Sequence, residues 1–150
     1  MSYYRAKLGS EKIIERSALK YTILRVTQFH NLRSGLFRAQ RLSPVWFTPD
    51  VPVQPIDVHE VAGRLAGLAS ESPAGPAPDM GGPEVRSSVD LAEIFLEEAS
   101  PRNHEPVPLR LPGKPFRALE AGYLTTPGNP TGGKTSREFL REKNSEHSPL

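Results

Sequence analysis

Sixteen of the 150 residues are proline, and each one removes a backbone donor and fixes φ, so regular elements have to fit between them. That is about twice the usual proline share of ~5%. With 12 glycines added, the total still stays below the roughly 25–30% typical of low-complexity chains. Leu, Ile, Val and Phe supply 36 residues, above the roughly 20% under which chains tend to remain disordered. A folded domain with long, proline-punctuated loops is expected.

The proline-free stretch 3–18 reads as a helix, with Lys7, Glu11 and Glu15 at i,i+4 spacing on one face. Lys20–Val26 is rich in Tyr, Thr, Ile and Val and hardly alternates, the pattern of a strand buried on both faces of a parallel sheet. A helix over 29–41 and a short strand over 45–48 follow. Asp57 then opens the clearest helix, with Glu60 in the capping-box position and Val58, Val61, Ala62, Leu65 and Leu68 forming an apolar stripe. Residues 72–84 read as loop, with 79–82 as a strand end. Ser87 caps a helix bearing Leu91, Ile94 and Phe95, and Val107, Leu109 and Leu111 alternate as in a strand. A short helix around 116–121, a Pro/Gly loop over 125–133 and a polar helix over 136–143 complete the chain. Strands alternating with helices predict an α/β layer structure with parallel strands. The two or three clear strands are too few for a covered doubly wound sheet, so the chain reads as part of one.

Charge and composition exclude several functions. Nineteen Lys and Arg against 17 Asp and Glu give a net charge of +2. Residues 1–41 hold nine basic side chains against Glu11 and Glu15, which is either a solvated face or a surface meeting a phosphate-bearing cofactor. Aromatic interleaving at nucleic-acid spacing is missing, so no nucleic-acid partner is expected. The absence of cysteine removes disulfides and thiolate chemistry, and a cytoplasmic setting is the expectation. No apolar run approaches the ~18 residues that span a bilayer, so no membrane role is expected. His30, His59, His104 and His147 have no ligand-like spacing, and no metal is expected.

Tyr3 and Lys7 stand four apart, on one helix face, where the ammonium favours the phenolate and can also donate to sugar hydroxyls. After this helix comes S-A-L-K-Y-T-I-L-R-V-T-Q-F-H over Ser17–His30. Then follow Q-P-I-D-V-H-E-V-A over 54–62, P-A-G over 73–75, D-M-G-G-P-E over 79–84, and Gly132 with Glu138–Leu140. In this combination and order the sequence resembles the NmrA-like atypical short-chain dehydrogenases/reductases. The resemblance implies an NAD(P)H-dependent oxidoreductase, NADPH ahead of NADH, reducing a small acceptor such as a quinone or another carbonyl-like compound. It also implies catalytic roles for Tyr3 and Lys7, with Lys7 holding the nicotinamide ribose. Thr27, Gln28 and Phe29 would be cofactor contacts, and Phe29 and His30 substrate contacts. Independently, these residues follow the carboxyl end of a strand, where open α/β sheets bind ligands. Phe29 as core and His30 as a partner of a backbone carbonyl remain alternatives.

The family's Gly-rich turn, G-x-x-G-x-x-G, is absent, as is its upstream catalytic Ser or Thr. The expected fold is therefore the C-terminal half of a Rossmann-type parallel sheet over 1–70. A small substrate-side α/β region over 71–143 and a flexible tail over 144–150 follow it. The loops after 26, 48 and 81 would form the substrate side of the pocket. As an isolated chain it is expected to lack a complete cofactor site. A non-catalytic NAD(P)-sensing or interaction protein, or a truncated fragment without function, stays open as an alternative, and the oligomeric state is not legible. One string competes: residues 128–135 (GNPTGGKT) fit the G-x-x-x-x-G-K-[ST] phosphate loop. No buried strand precedes it, only 15 residues follow it, and Pro130 removes a donor, so no ATP or GTP site is expected.

Overall fold

A computed structural model describes residues 2–40, 42–43, 45–99, 105–110 and 112–146; for 2–4 and 99 it describes the backbone alone. The first helix, α1 (Ser2–Glu15), ends two residues before a Ser17 turn. Arg25 grips Glu11 through two nitrogens, with Nη2 at 2.6 Å and Nε at 3.1 Å from Oε2, tying α1 to the strand that follows. That strand, β1 (Thr22–Ile23), is the regular part of an extended run to Phe29.

The backbone groups of the run are shared between two neighbours. Its odd-numbered residues bond with 75–80: Gly75 N to Tyr21 O, Ala77 N to Ile23 O, Met80 N to Arg25 O, and Thr27 N to Met80 O. Gln28 and His30 bond on the other edge with Ile56. Both pairings are parallel, the first including β4 (Gly75–Pro76). Gly81 then bridges Pro130, again parallel.

Helix α2 (His30–Ala39) leads into β2 (Trp46–Pro49), which pairs in parallel with β6 (Pro106–Leu109). Trp46 and Thr48 face the core while Phe47 and its partner Val107 face outward. Pro106 and Pro108 fall on alternate positions of β6, which an edge strand can leave without donors. Leu111 lies outside the described residues. An antiparallel pair that the sequence does not announce, β3 (Pro52–Val53) with β5 (Arg86–Ser87), connects the two parallel ribbons.

Helix α3 (Val58–Ser70) begins at Asp57, whose Oδ1 accepts from His59 N at 2.8 Å. Helix α4 (Ser88–Ala99) has a full capping box: Ser87 Oγ accepts from Asp90 N, and Asp90 Oδ2 from Ser87 N. Short α5 (Lys114–Glu120) and α6 (Ser136–Glu146) follow, α6 running past the expected end at 143.

The main core joins Phe37, Trp46, Val51 and Val53 to Leu91, Ile94, Phe95, Phe116, Phe139 and Leu140, so it draws on residues from both sides of position 70. Phe37, Trp46 and Phe95 form its aromatic centre, with ring centroids 5.5–6.1 Å apart. A smaller cluster of Ile56, Val61 and Met80 sits under Leu24, Val26 and Phe29. The apolar stripe of α3 is buried only in part. Val61 and Leu68 are covered, whereas Leu65 is 51% exposed and Ala62 is also open to solvent. Outside, Arg137 and Arg141 clamp Glu97 and Glu98, fastening α6 to α4. Among the described residues, no helix is long and apolar enough to cross a membrane.

Candidate ligand-binding site

The carboxyl end of β1 is where three loops meet. Thr27 donates through Oγ1 to Gln54 O, and its backbone N–H goes to Met80 O at 3.0 Å. The loops after residues 26 and 81 therefore share a wall, and the chain descending from β2 through Gln54–Ile56 runs between them. That close approach explains the paired glycines at 81 and 82. A Cβ on Gly82 would stand 1.7 Å from Pro55 O, and one on Gly81 would stand 2.6 Å from the Gln54 amide.

Two glutamines reach from this wall to one segment. Gln28 Nε2 donates to Leu124 O at 3.0 Å, and Gln54 Oε1 accepts from Thr126 N at 2.7 Å. Gln54 is fully buried and its own Nε2 donates to Gly82 O at 2.8 Å. Because Leu124 O can only accept, the Gln28 nitrogen must face it. This leaves Gln28 Oε1 buried with no hydrogen-bond partner among the described residues.

Beside the glutamines, a charged hub locks the 132–136 segment. Lys134 Nζ lies 2.7 Å from Asp57 Oδ2 and 2.6 Å from Glu142 Oε2. Glu60 does not close the expected capping box with the Asp57 backbone. Its Oε1 instead accepts from Gly133 N at 2.8 Å and Lys134 N at 3.0 Å. Burial pushes the Asp57 carboxyl up, but hydrogen bonds from Lys134 and His59 and the Lys134 charge outweigh this and hold it below its usual range. The same carboxylates raise the Lys134 ammonium above its ordinary value. Thr135 caps α6, its N–H and hydroxyl both donating to Glu138 Oε2 at 2.8 Å.

Thr27, Gln28 and Phe29, named from the sequence, form the extended end of the run from β1, and His30, also named, begins α2. Phe29 is half-buried and packs on Ile56, Val61 and Met80. His30 is 3% exposed and stacked on Phe139 with centroids 5.1 Å apart. Its Nε2 lies 3.1 Å from Lys134 O and its Nδ1 3.4 Å from Ser136 Oγ. A carbonyl only accepts, so Nε2 carries the proton and Nδ1 accepts from the hydroxyl. Both ring nitrogens are thus engaged within the chain. Burial lowers the His30 pKa against the opposing pull of the Lys134 carbonyl and of Asp57 and Glu60.

Lys7 is exposed on α1. Tyr3 belongs to the same helix, but its side chain lies outside the described residues. Of the glutamine pair, Gln28 was named from the sequence and Gln54 was not, its one cue there being its place at the head of the 54–62 motif. No cluster of metal-ligating side chains occurs among the described residues.

No protein-family model matches the chain, and no curated protein matches it either. Solved structures do match. A nucleoside-diphosphate-sugar epimerase from Staphylococcus aureus superposes with a TM-score of 0.66 at 15% identity, over 87% of this chain and 55% of that one. RMD from Pseudomonas aeruginosa, solved with NADPH, superposes with a TM-score of 0.56 at 15% identity, over 96% of this chain and 55% of that one. The chain thus spans about half the length of the solved structures it matches. Its parallel strand pairs, their covering helices and these superpositions identify it as an α/β chain with the fold of Rossmann-type proteins.

Proposed function

We propose that the chain forms the nicotinamide and substrate side of an NAD(P)H-dependent oxidoreductase of the NmrA-like type, acting on a small carbonyl-like acceptor such as a quinone. The observation that carries the reading is the segment 27–30, the carboxyl end of the extended run from β1 and the start of α2, where open α/β sheets hold their ligands. The likeness to a protein solved with NADPH supports it. So does the order helix, then strand, which puts Tyr3 and Lys7 on the helix that leads into β1.

The residues present suit the nicotinamide-ribose end of the cofactor. Gln28 Oε1 is a buried acceptor without a donor among the described residues, and Lys7 lies at the surface of α1 with the chemistry to donate to sugar hydroxyls. They do not suit its pyrophosphate, for which the sequence carries no Gly-rich turn. A bound NAD(P)H supplies the hydride. In this reading Tyr3 delivers a proton to the acceptor oxygen, and Lys7 lowers the phenol pKa by its charge. Thr27 and Phe29 shape the wall beside them.

The test is titration of NADPH into the purified protein, followed by nicotinamide fluorescence, with a quinone then added and NADPH oxidation recorded. Binding with turnover that Tyr3→Phe abolishes supports the oxidoreductase. Absence of binding in this chain and in any longer protein that contains it removes the reading. The engagement of both His30 ring nitrogens within the chain favours one second reading, a non-catalytic NAD(P)-sensing or interaction protein. It would bind a partner equally well with Tyr3 or Phe at that position and show no turnover in either form.

A further inference from the structure

We propose that residues 122–126 are a strap closed over the strand end at 27–30, that Gln28 is its catch, and that the Gln28 carbonyl receives an N–H or O–H donor of the ligand. The inference rests on the functional reading above and adds to it how the site is gated.

Two side chains fasten the strap to the wall, Gln28 to Leu124 O and Gln54 to Thr126 N, while the Gly122 and Tyr123 N–H groups join it to the end of α5 and Leu124 packs on the main core. Each anchor is a side-chain amide on the wall of the candidate site, and neither belongs to a helix or strand. At one end lies Gly122, with φ +85°, a conformation that L side chains rarely adopt, and at the other Pro127. Within the strap the chain folds back on itself, Thr125 donating to Gly122 O through both its N–H at 2.9 Å and its hydroxyl at 2.8 Å. Lifting the strap breaks the Gln28 bond and withdraws Leu124 from the core, while this inner turn can persist.

The Gln28 amide uses its nitrogen to hold the strap and leaves its oxygen shielded from water without a donor. A buried acceptor left in this way is unfavourable, and a ligand donor that reaches it removes the penalty. Access requires the strap to rise. Once the donor is in place the strap can reclose, Gln28 then bonding the ligand through Oε1 and Leu124 through Nε2. A carboxamide N–H or a sugar hydroxyl has the required chemistry.

Amide hydrogen exchange of the whole protein, resolved by segment, tests this in the wild type and in Gln28→Met, each with and without NADPH as the probe. Without ligand, Gln28→Met should raise exchange of the 123–126 amides at least tenfold and leave α4 and α6 within twofold. NADPH should slow strap exchange in the wild type only, and bind the variant at least tenfold more weakly. Unchanged strap exchange in the ligand-free variant overturns the catch, and equal slowing by NADPH in both proteins overturns the role of the carbonyl. Should NADPH bind neither protein, the ligand-free comparison alone decides whether the strap and its catch stand, and the NAD(P)H reading falls only if a longer protein that contains the chain also binds none. Gln28→Glu, which keeps an acceptor but cannot donate to Leu124 O, must also free the strap. If it does not, the proposal falls even where Gln28→Met misfolds.

Discussion

Replacing Lys134 with Met isolates what the charged hub contributes to stability. The ammonium sits between Asp57, whose side chain is 2% exposed, and Glu142, which is 57% exposed. Without it, Asp57 keeps only the His59 N–H at 2.8 Å. Breaking a buried ion pair from one side costs about 3–5 kcal/mol, because the remaining charge stays desolvated. Here the lysine end is 25% exposed, so water entering the gap reduces the expected loss to about 2–3 kcal/mol. The Glu142 arm adds little, as an exposed pair contributes about 0–1 kcal/mol. For a chain of this size 1 kcal/mol moves Tm by about 2–4 °C, so Lys134→Met should melt about 4–12 °C lower at pH 7. Glu142→Gln serves as the control and should shift Tm by no more than about 4 °C. Adding Asp57→Asn to Lys134→Met should recover part of the loss, since the uncompensated charge is gone. Thermal and urea melts measure all four proteins. A Tm for Lys134→Met equal to that of Glu142→Gln would refute the argument that the buried carboxylate is the source of the cost.

Gly82→Ala places a Cβ 1.7 Å from Pro55 O, and since backbone must move, a loss of about 3 kcal/mol or more is expected, read as a lowered urea midpoint. His30 has its pKa lowered by burial, so the folded state binds fewer protons than the unfolded chain, and stability falls as pH drops through the unfolded value of about 6.5. Urea midpoints at pH 7.5 and 5.5 should therefore differ more for the wild type than for His30→Gln, and coincident differences would contradict the assignment. MgATP titrated calorimetrically should show no saturable binding, because Lys134 and the backbone donors of Gly133 and Lys134 are already occupied. A saturable isotherm would contradict that.

Much of the fold was legible along the sequence because each signal is local. The helices α1 to α4 and α6, the strands β1, β2 and β6, and the caps at Asp57 and Ser87 rest on spacings of two to four residues. What was not legible depends on residues far apart in the chain. The β3–β5 pair is two residues long on each side, too short to show a period. The exposed half of the α3 stripe marks a helix whose sequence prepares more apolar surface than the described residues cover. Glu60 makes the same point at the site. Its spacing from Asp57 fits a capping box, yet two backbone donors seventy-three and seventy-four residues onward compete for its carboxylate and hold it. His30 is similar, since nothing near it in sequence announces Lys134 O or Ser136 Oγ as its partners.

The phosphate-loop string at 128–135 joins the legible and the illegible. Two successive N–H groups, of Gly133 and Lys134, do converge there, as they would around an anion. The anion they hold is the carboxylate of Glu60, and the lysine that would reach a phosphate is fixed instead between Asp57 and Glu142. The local string thus presents two adjacent donors and a lysine, while the groups that occupy them come from Asp57, α3 and α6. A short motif states what a backbone can bind, and only the rest of the fold decides whether that place is free. The same logic applies to the Gln28 carbonyl and to the second oxygen of Glu60: the fold has buried an acceptor at each, and the described residues supply neither with a donor.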